Sequence, residues 1–261
     1  MPKWGLSKSE YFFDTEQQII AKGLASVKYM SDGIAEELYT LAHRKKYTRF
    51  IDLLSDIDST SVNTRQLDIL IKLDFFSEFG NQRELLRITE MFYELFKRGE
   101  AKKVNKDKID GTPLEPIVSK YSVGMTKAGG VAKSYTLLDV TSIMREAEDA
   151  VKAAKLEDLS ELTKVRNFAD VMGYAGYVSG NDADRRKLYV SEVYPLKRKR
   201  DGKQFGYSVV TKSIGSGKES RFTVFNKVFN IDPIKQGDVI YCKTYEPDGK
   251  YFVLTGFEKI R

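Results

Sequence analysis

Apolar residues recur at helical spacing over about the first hundred residues of the chain. Two runs show this spacing: Ile34, Leu38 and Leu41, and then Leu85, Ile88, Phe92 and Leu95. Residues three or four positions apart share one face of a helix, so both runs predict amphipathic helices around a helical core. Three pairs resemble the capping boxes that begin helices: Asp14 with Gln17, Asn63 with Gln66, and Asn81 with Glu84.

The pattern changes near residue 98, where Gly, Pro and Lys dominate, as in GEAKKVNKDKIDGTPLEP. This composition predicts a basic linker over residues 98–138, and a solvated loop with no partner explains it equally well. A helix is predicted from about Asp139 to Lys155, and a second helical stretch continues to about Asp170.

From residue 171 onward the apolar period becomes two. Five β-rich runs are separated by turn signals: KLYVSEVYPL, QFGYSVVTKSI, SRFTVFNKVF, GDVIYCKTY and KYFVLTGFEKI. A further run, VMGYAGYVS, leads into them. Five short strands of this kind predict a small closed barrel of the OB type.

Composition limits the chemistry of the chain. With 261 residues and 41% apolar content it can bury real cores. Its apolar runs are shorter than a membrane span needs and its first residues resemble no signal peptide, so a cytoplasmic protein without membrane contact is expected. Cys242 and His43, each the single residue of its type, exclude an internal disulfide and an ordinary Cys/His zinc site. The net charge of +6 favours polyanionic partners.

No catalytic residue, metal site or cofactor is predicted. The Asp-x-Asp pairs at Asp56–Asp58 and Asp182–Asp184 lie outside any plausible strand of a polymerase palm. The stretch GSGKES at 215–220 lacks the first glycine of a phosphate-binding loop and has Glu219 after its lysine. A glycine-rich turn is the better interpretation.

Two short, partly apolar connections join helical patterns. Lys28 precedes one that contains Gly33, and Lys72 precedes one that ends in Gly80 and Asn81. In a helix-hairpin-helix, the free amides at the start of the second helix face a phosphate, and a nearby lysine adds charge. Spacing alone fits an ordinary helical hairpin with solvated lysines equally well.

The segment from Ile19 to Leu86 resembles the tandem helix-hairpin-helix region of the alpha subunit of bacterial DNA polymerase III, the family C replicative polymerase. The matching elements are Gly23-Leu24 with Val27-Lys28, Phe50 with Asp52-Leu53, Asn63 with Arg65, Leu67 and Leu70-Ile71-Lys72, and Gly80-Asn81 with Arg83 and Leu86. The chain departs from the family at two turns. Tyr29-Met30-Ser31 stands where Gly-x-Gly is usual, and Leu73-Asp74-Phe75 stands where Ala-Gly-Ala is usual.

The resemblance implies an α+β multidomain chain. Its parts are a tandem helix-hairpin-helix domain at 1–97, the linker at 98–138, connecting helices at 139–170 and an OB-fold domain at 171–261. The implied function is the non-catalytic, DNA-binding portion of a polymerase III alpha-like protein, because both catalytic modules of that family are missing from the chain. The hairpins would grip duplex DNA and the barrel would hold the single-stranded template of a primer-template. A sliding clamp or other replisome proteins are further candidate partners, with QRELL at 82–86 the stretch nearest to a clamp motif.

The predicted DNA-binding residues fall in two groups. On the hairpins they are Lys28, Gly33, Lys72, Gly80, Asn81 and Arg83. On the barrel they are Lys197, Arg198, Lys199, Arg200, Tyr207, Lys212, Lys218 and Arg221. Phe222, Phe225 and Tyr241 are also available for stacking, although alternation sends about half of such aromatics into the core. Two other classes stay open: a protein-interaction scaffold of a replication complex and an RNA-binding OB protein.

Overall fold

The computed structural model describes residues 1–15, 18–95, 103–126, 128–174, 176–179, 185–249 and 251–260. Within these residues the chain forms two compact units, Met1–Leu159 and Ser160–Arg261. The first is mainly helical and the second is built on a closed barrel. The predicted α+β class, with a helical N-terminal part and a C-terminal five-stranded barrel, is confirmed. In the described part of the chain, no helix has the length and apolar character needed to cross a membrane.

The first unit begins with a small antiparallel hairpin and continues through six helices. The strands are β1 (Phe12–Asp14) and β2 (Ile19–Ala21). The helices are α1 (Asp32–Arg44), α2 (Phe50–Ile57), α3 (Thr64–Lys72), α4 (Gln82–Leu95), α5 (Glu115–Lys120) and α6 (Val140–Ala153). The helix start predicted at Asp14 is wrong, because Asp14 ends a strand; Gln17 lies outside the described residues.

The helical core of this unit follows the predicted faces. Ile34, Leu38 and Leu41 of α1 are buried, as are the apolar positions of α4. Asn63 and Gln66 form the predicted capping box at the start of α3, with each side chain bonded to the other residue's backbone amide. Helix α6 packs against α2 and α4, so it belongs to the core of the unit and does more than connect.

The predicted linker contains regular structure. Its residues 98–102 and 127 lie outside the described residues. The rest includes α5 and an antiparallel sheet in the order β3 (Lys103–Asn105), β5 (Val131–Leu137), β4 (Ser122–Met125). Val104, Ile109, Leu114 and Val118 are buried there. The expectation of a plain linker is wrong for this part, because a few well-spaced apolar residues among the lysines suffice to make a small core.

In the second unit a helix packs on a barrel. Helix α7 spans Glu161–Met172 and ends at Gly173, whose φ of 76° closes the helix with a left-handed residue. The barrel strands are β6 (Lys187–Lys197), β7 (Gln204–Ser213), β8 (Glu219–Phe225), β9 (Val239–Asp248) and β10 (Tyr251–Ile260). The second half of the run SRFTVFNKVF is helical: a short turn, α8 (Asn226–Phe229), follows β8.

Closure of the barrel follows the order β10-β8-β7-β6-β9, with β9 also paired to β10. Every neighbouring pair is antiparallel except β8 and β10, which run parallel and share two register pairs, Phe222 with Phe252 and Thr223 with Val253. This strand order, with a helix between the third and fourth strands, is that of an OB-type barrel. Its core is formed by buried apolar residues of all five strands, of α8 and of the loop between α8 and β9: Leu188, Val190, Val209, Phe222, Val224, Phe229, Ile234, Ile240, Cys242 and Leu254.

Candidate nucleic-acid interface

The first hairpin is a tight turn between a short 3-10 helix and α1. The 3-10 helix covers Leu24–Ser26, and Ser31 caps α1 by accepting from the Ile34 amide at 3.4 Å. Between them Tyr29 has a φ of 66°, in the left-handed region that glycine adopts most easily. Tyr29 is the residue at the first glycine position of the family pattern. The turn therefore has at Tyr29 a backbone conformation that glycine adopts most easily, with a bulky side chain in place of glycine.

The predicted site residues of this hairpin lie on its exposed side. Lys28 is exposed at the turn, and Gly33 is exposed in the first turn of α1. A side chain added at Gly33 would meet no atom within 4 Å. Beside Gly33, the Asp32 carboxylate accepts a hydrogen bond from the Ser9 hydroxyl. The first turn of α1 therefore has open space at Gly33 and a carboxylate next to it.

The second hairpin also holds a non-glycine residue in the left-handed region. Asp74, at the family's glycine position, has a φ of 58°. The connection after it is apolar because Phe75, Phe76 and Phe79 are all buried. Phe76 contacts the Trp4 and Phe50 rings, with centroids 5.4 and 5.5 Å away. This explains the half-apolar sequence of the connection, which forms part of the core.

The start of α4 is enclosed by groups of the same unit. Asn81 and Glu84 form a capping box, with bonds of 2.9 and 3.2 Å to each other's amides, as predicted. The Asn81 side-chain amide also donates to the Leu156 carbonyl at 2.8 Å. The Asp158 carboxylate accepts from the Gln82 amide at 3.1 Å. A carboxylate therefore lies at the helix N-terminus, the position that an anion favours.

The remaining hairpin residues differ in their surroundings. Lys72 forms an ion pair with Asp68 at 2.7 Å, whereas Arg83 is exposed on α4. Gly80 has a φ of 155°, and an added side chain there would come within 2.9 Å of Glu84. Gln82 and Leu85 are buried at 1% exposure, so the stretch 82–86 does not form an extended, exposed clamp-binding segment.

The far end of α1 is joined to α2 through Asp56. Its carboxylate accepts from the Tyr47 hydroxyl at 2.7 Å and lies 2.7 Å from the Lys45 ammonium and 3.2 Å from Arg44. Burial favours the neutral acid, but hydrogen bonds from Lys45 and Tyr47 outweigh it and lower the pKa of Asp56. Burial and the bond to Asp56 raise the pKa of Tyr47. The group is thus held as an ionised acid with a neutral phenol.

On the barrel, the predicted basic residues divide between a turn and a cleft. Lys197, Arg198, Lys199 and Arg200 are exposed at the turn between β6 and β7. Lys218 and Arg221 line a cleft beside β8, and Lys212 is half-buried outside it. Tyr207 is stacked on the Phe229 ring with centroids 3.6 Å apart, so it supports the core. Phe222 is also buried, whereas Phe225 is 43% exposed.

The cleft lies where β8 and β10 meet and has a volume of about 630 Å³. Four cationic side chains line it: Arg185, Arg186, Lys218 and Arg221. Aromatic rings line it too. Phe252 has its centroid 5.3 Å from that of Tyr245 and 6.0 Å from that of Phe222. Tyr245 and Tyr251 are 52% and 54% exposed. Cationic groups beside exposed rings are the combination used to hold phosphates and stacked bases of single strands.

Several cleft residues are missing from the sequence prediction. They are Arg185, Arg186, Tyr245, Tyr251 and Phe252. Alternation predicts the strands that carry Tyr245 and Phe252, but it does not give the parallel register that sets Phe252 beside Phe222. Among the described residues, no group of three or more His, Cys, Asp or Glu side chains is placed to hold a metal ion. Asp182–Asp184 lies outside the described residues.

Comparison with known proteins agrees with the geometry of the helical unit. Residues 5–86 match the family model described as the helix-hairpin-helix motif. The chain thus combines a helix-hairpin-helix segment, a motif of nucleic-acid binding, with an OB-type barrel.

The chain is also similar to the DNA polymerase III subunit alpha of Treponema pallidum (strain Nichols). It is 24% identical over 192 residues, which is 73% of this chain and 14% of that relative. The chain therefore corresponds to a small part of the relative's length. The resemblance to this polymerase subunit, predicted from the motifs around the hairpins, is confirmed.

Proposed function

We propose that the chain is a non-catalytic DNA-binding portion of a polymerase III alpha-like protein. In this proposal the helical unit grips the backbone of duplex DNA, and the barrel holds the single strand that continues from it. The observation that carries the proposal is the helix-hairpin-helix match over residues 5–86, together with the similarity to a polymerase subunit. Backbone contacts of this kind are insensitive to base sequence and strongly dependent on salt.

Charge and exposure support the first hairpin as the principal duplex contact. Lys28, the Tyr29 turn and Gly33 are exposed together at its tip. At the second hairpin, Arg83 is exposed, but Asp158 already contacts the α4 amides and Lys72 is paired with Asp68. We therefore assign the stronger phosphate contact to the first hairpin and an outer contact to Arg83.

The cleft supports single-strand binding by the barrel. Its cations suit phosphates, and the exposed faces of Tyr245 and Tyr251 suit stacking with bases of any identity. The basic turn at 197–200 offers additional charge for the same strand. Because Tyr207 packs on Phe229, we assign it a supporting role, with base stacking left to the cleft aromatics.

Fluorescence anisotropy with duplex, single-stranded and primer-template DNA across a salt series tests the proposal. Two reversal pairs separate the two parts: Lys28→Glu with Lys72→Glu for the hairpins, and Lys218→Glu with Arg221→Glu for the cleft. The exposed Lys235, which does not line the cleft, supplies the control Lys235→Glu.

We expect the hairpin pair to weaken duplex binding and the cleft pair to weaken single-strand binding, each by about tenfold or more at low salt. The control should change either affinity by less than about threefold. Tighter binding to structured RNA than to primer-template DNA would favour the RNA-binding alternative. An absence of binding to every nucleic acid at low salt would refute the proposal and favour a scaffold.

A further inference from the structure

Tyr29 combines two properties that are unusual for a residue at a tight turn. Its backbone is in the left-handed region, with a φ of 66°, where bulky side chains are disfavoured. Its ring is nevertheless 56% exposed, so burial of the ring does not compensate. Backbone strain at an exposed position points to a functional constraint on the side chain.

Arg65 lies directly over this ring. Its guanidinium carbon is 3.6 Å from the ring centroid of Tyr29, close enough for stacking and cation–π attraction. Among the described residues, no carboxylate forms an ion pair with Arg65. Stacking uses the flat face of the guanidinium and leaves the N–H donors at its edge free to bind an anion.

The stacked pair is held in place by buried polar groups. Gln66, next to Arg65, is 8% exposed and donates to the Tyr29 carbonyl at 2.8 Å. The same Gln66 completes the capping box of α3 with Asn63. The start of α3 is thereby fixed to the turn of the first hairpin, so the two backbone segments that carry the ring and the guanidinium are held together before any ligand binds.

We propose that Tyr29 and Arg65 form one composite contact for the phosphodiester backbone of duplex DNA. The edge of Arg65 binds phosphate oxygens in the bidentate geometry that guanidinium favours, and the Tyr29 ring keeps the guanidinium oriented. Both side chains are exposed, and so is Lys28, which precedes Tyr29 in the chain, so the tip offers positive charge to a polyanion. This contact rests on the proposed function and adds a side-chain phosphate ligand to the amides of the first hairpin.

Reversion of each turn to the family's glycine tests the contact. Tyr29→Gly relieves the backbone and removes the ring from Arg65. Asp74→Gly, the matched control, makes the same exchange of a left-handed residue for glycine at the second hairpin. Tyr29→Phe keeps the ring, Arg65→Lys keeps the charge without the planar edge, and Arg65→Ala removes both. Binding to a blunt duplex is measured by anisotropy across a salt series, with urea unfolding of each variant alongside.

We expect Tyr29→Gly to bind duplex roughly threefold to tenfold more weakly although its resistance to urea is unchanged or higher. Tyr29→Phe should bind within about twofold of the unmodified chain, and Arg65→Lys about tenfold more weakly. Arg65→Ala should reduce the slope of log affinity against log salt by about one, the loss of one phosphate contact. Asp74→Gly should bind duplex with no loss of affinity.

Two results would overturn the inference in distinguishable ways. If Tyr29→Gly and Arg65→Ala bind duplex as tightly as the unmodified chain, the hairpin amides suffice and the composite contact does not exist, while the proposed function stands. If the unmodified chain fails to bind duplex even at low salt, both the composite contact and the proposed function are rejected.

Discussion

The two hairpins of the helical unit differ in what surrounds the second helix of each. At the first, α1 is capped by its own Ser31, and the Gly33 position is open. At the second, Asp158 and the Leu156 carbonyl, both from the segment after α6, hold the start of α4. The turns themselves are alike, with Tyr29 and Asp74 both left-handed.

The difference indicates a division of roles between two similar motifs. A carboxylate at a helix N-terminus satisfies the same amides and dipole that would attract a phosphate. Helix α2 is held in the same manner, because the Glu148 carboxylate accepts from the Phe50 amide at 3.0 Å. Acids on and after α6 thus fasten α2 and α4, whereas α1 starts on its own Ser31 cap with its own Asp32 in the first turn.

The largest expected effect comes from Glu148. It is fully buried and lies 3.0 Å from the Lys152 ammonium and 3.6 Å from Arg49. Glu148→Ala leaves the Phe50 amide and nearby cations without this partner and should lower the free energy of unfolding by about 3 kcal/mol. Urea unfolding measures the loss. Its neighbour Asp149 pairs with the same Arg49 but has a side chain 56% exposed. Asp149→Ala should cost less than about 1 kcal/mol, and equal losses would contradict the fastening role of Glu148.

A smaller effect is expected at Asp158. Asp158→Ala removes the acceptor of the Gln82 amide and should cost about 1–2 kcal/mol, measured by the urea midpoint. The matched change at the first hairpin is Asp32→Ala, in the first turn of α1. Because Asp32 is exposed, its removal should cost about 0.5 kcal/mol or less. A reversed order would show that the two helix starts are not held as the contacts indicate.

Replacing the glycine of each hairpin with alanine should change the stability in opposite directions. Gly80→Ala forces a side chain onto a φ of 155° and to within 2.9 Å of Glu84, and should cost about 1–2 kcal/mol. Gly33→Ala meets open space in a helix and should add about 0.5–1 kcal/mol. Thermal unfolding of the two variants provides the measurement. Destabilisation by Gly33→Ala would mean that the start of α1 has no open space at Gly33.

The smallest expected effect is the loss of stability in acid from Asp56, at the far end of α1. The pKa of Asp56 is lowered because hydrogen bonds from Lys45 and Tyr47 outweigh the opposing effect of burial. A carboxyl with a lowered folded-state pKa contributes stability that is complete above its unfolded value, near 4, and is lost as pH falls through the folded value. The free energy of unfolding should therefore fall as the pH is lowered from about 6 to 2. In Asp56→Asn this fall should be smaller, by less than about 1 kcal/mol. An identical pH profile for the variant would exclude Asp56 as a contributor.

Local signals in the sequence predict much of the fold. The Asn63 capping box gives the start of α3, and alternation bounded by turn residues gives four of the barrel strands closely. These features depend on neighbours in the chain, which a sequence pattern records. The strand β8 is predicted too long, because Phe225 to Phe229 continues its apolar spacing into α8.

A sequence pattern does not predict features that depend on contacts between residues far apart in the chain. The sheet of β3, β5 and β4 joins segments that look like a charged linker, and nothing local pairs Lys103 with Thr136. The anchoring of α4 by Asp158 and the cleft beside Phe252 likewise need contacts between separated elements. The prediction therefore finds the basic turn at 197–200, which is contiguous, and only part of the cleft.

The barrel core holds the single thiol of the chain, so the reactivity of this thiol measures how often the barrel opens. Cys242 is 3% exposed, and burial raises the pKa of its thiol, so the reactive thiolate is scarce while the barrel stays closed. A thiol reagent should modify it at a rate set by transient opening. The seam between β8 and β10, with only two register pairs, is the natural place for that opening. Single-stranded DNA bound in the adjacent cleft should slow this labelling, so binding could be followed without a dye or tag on the protein.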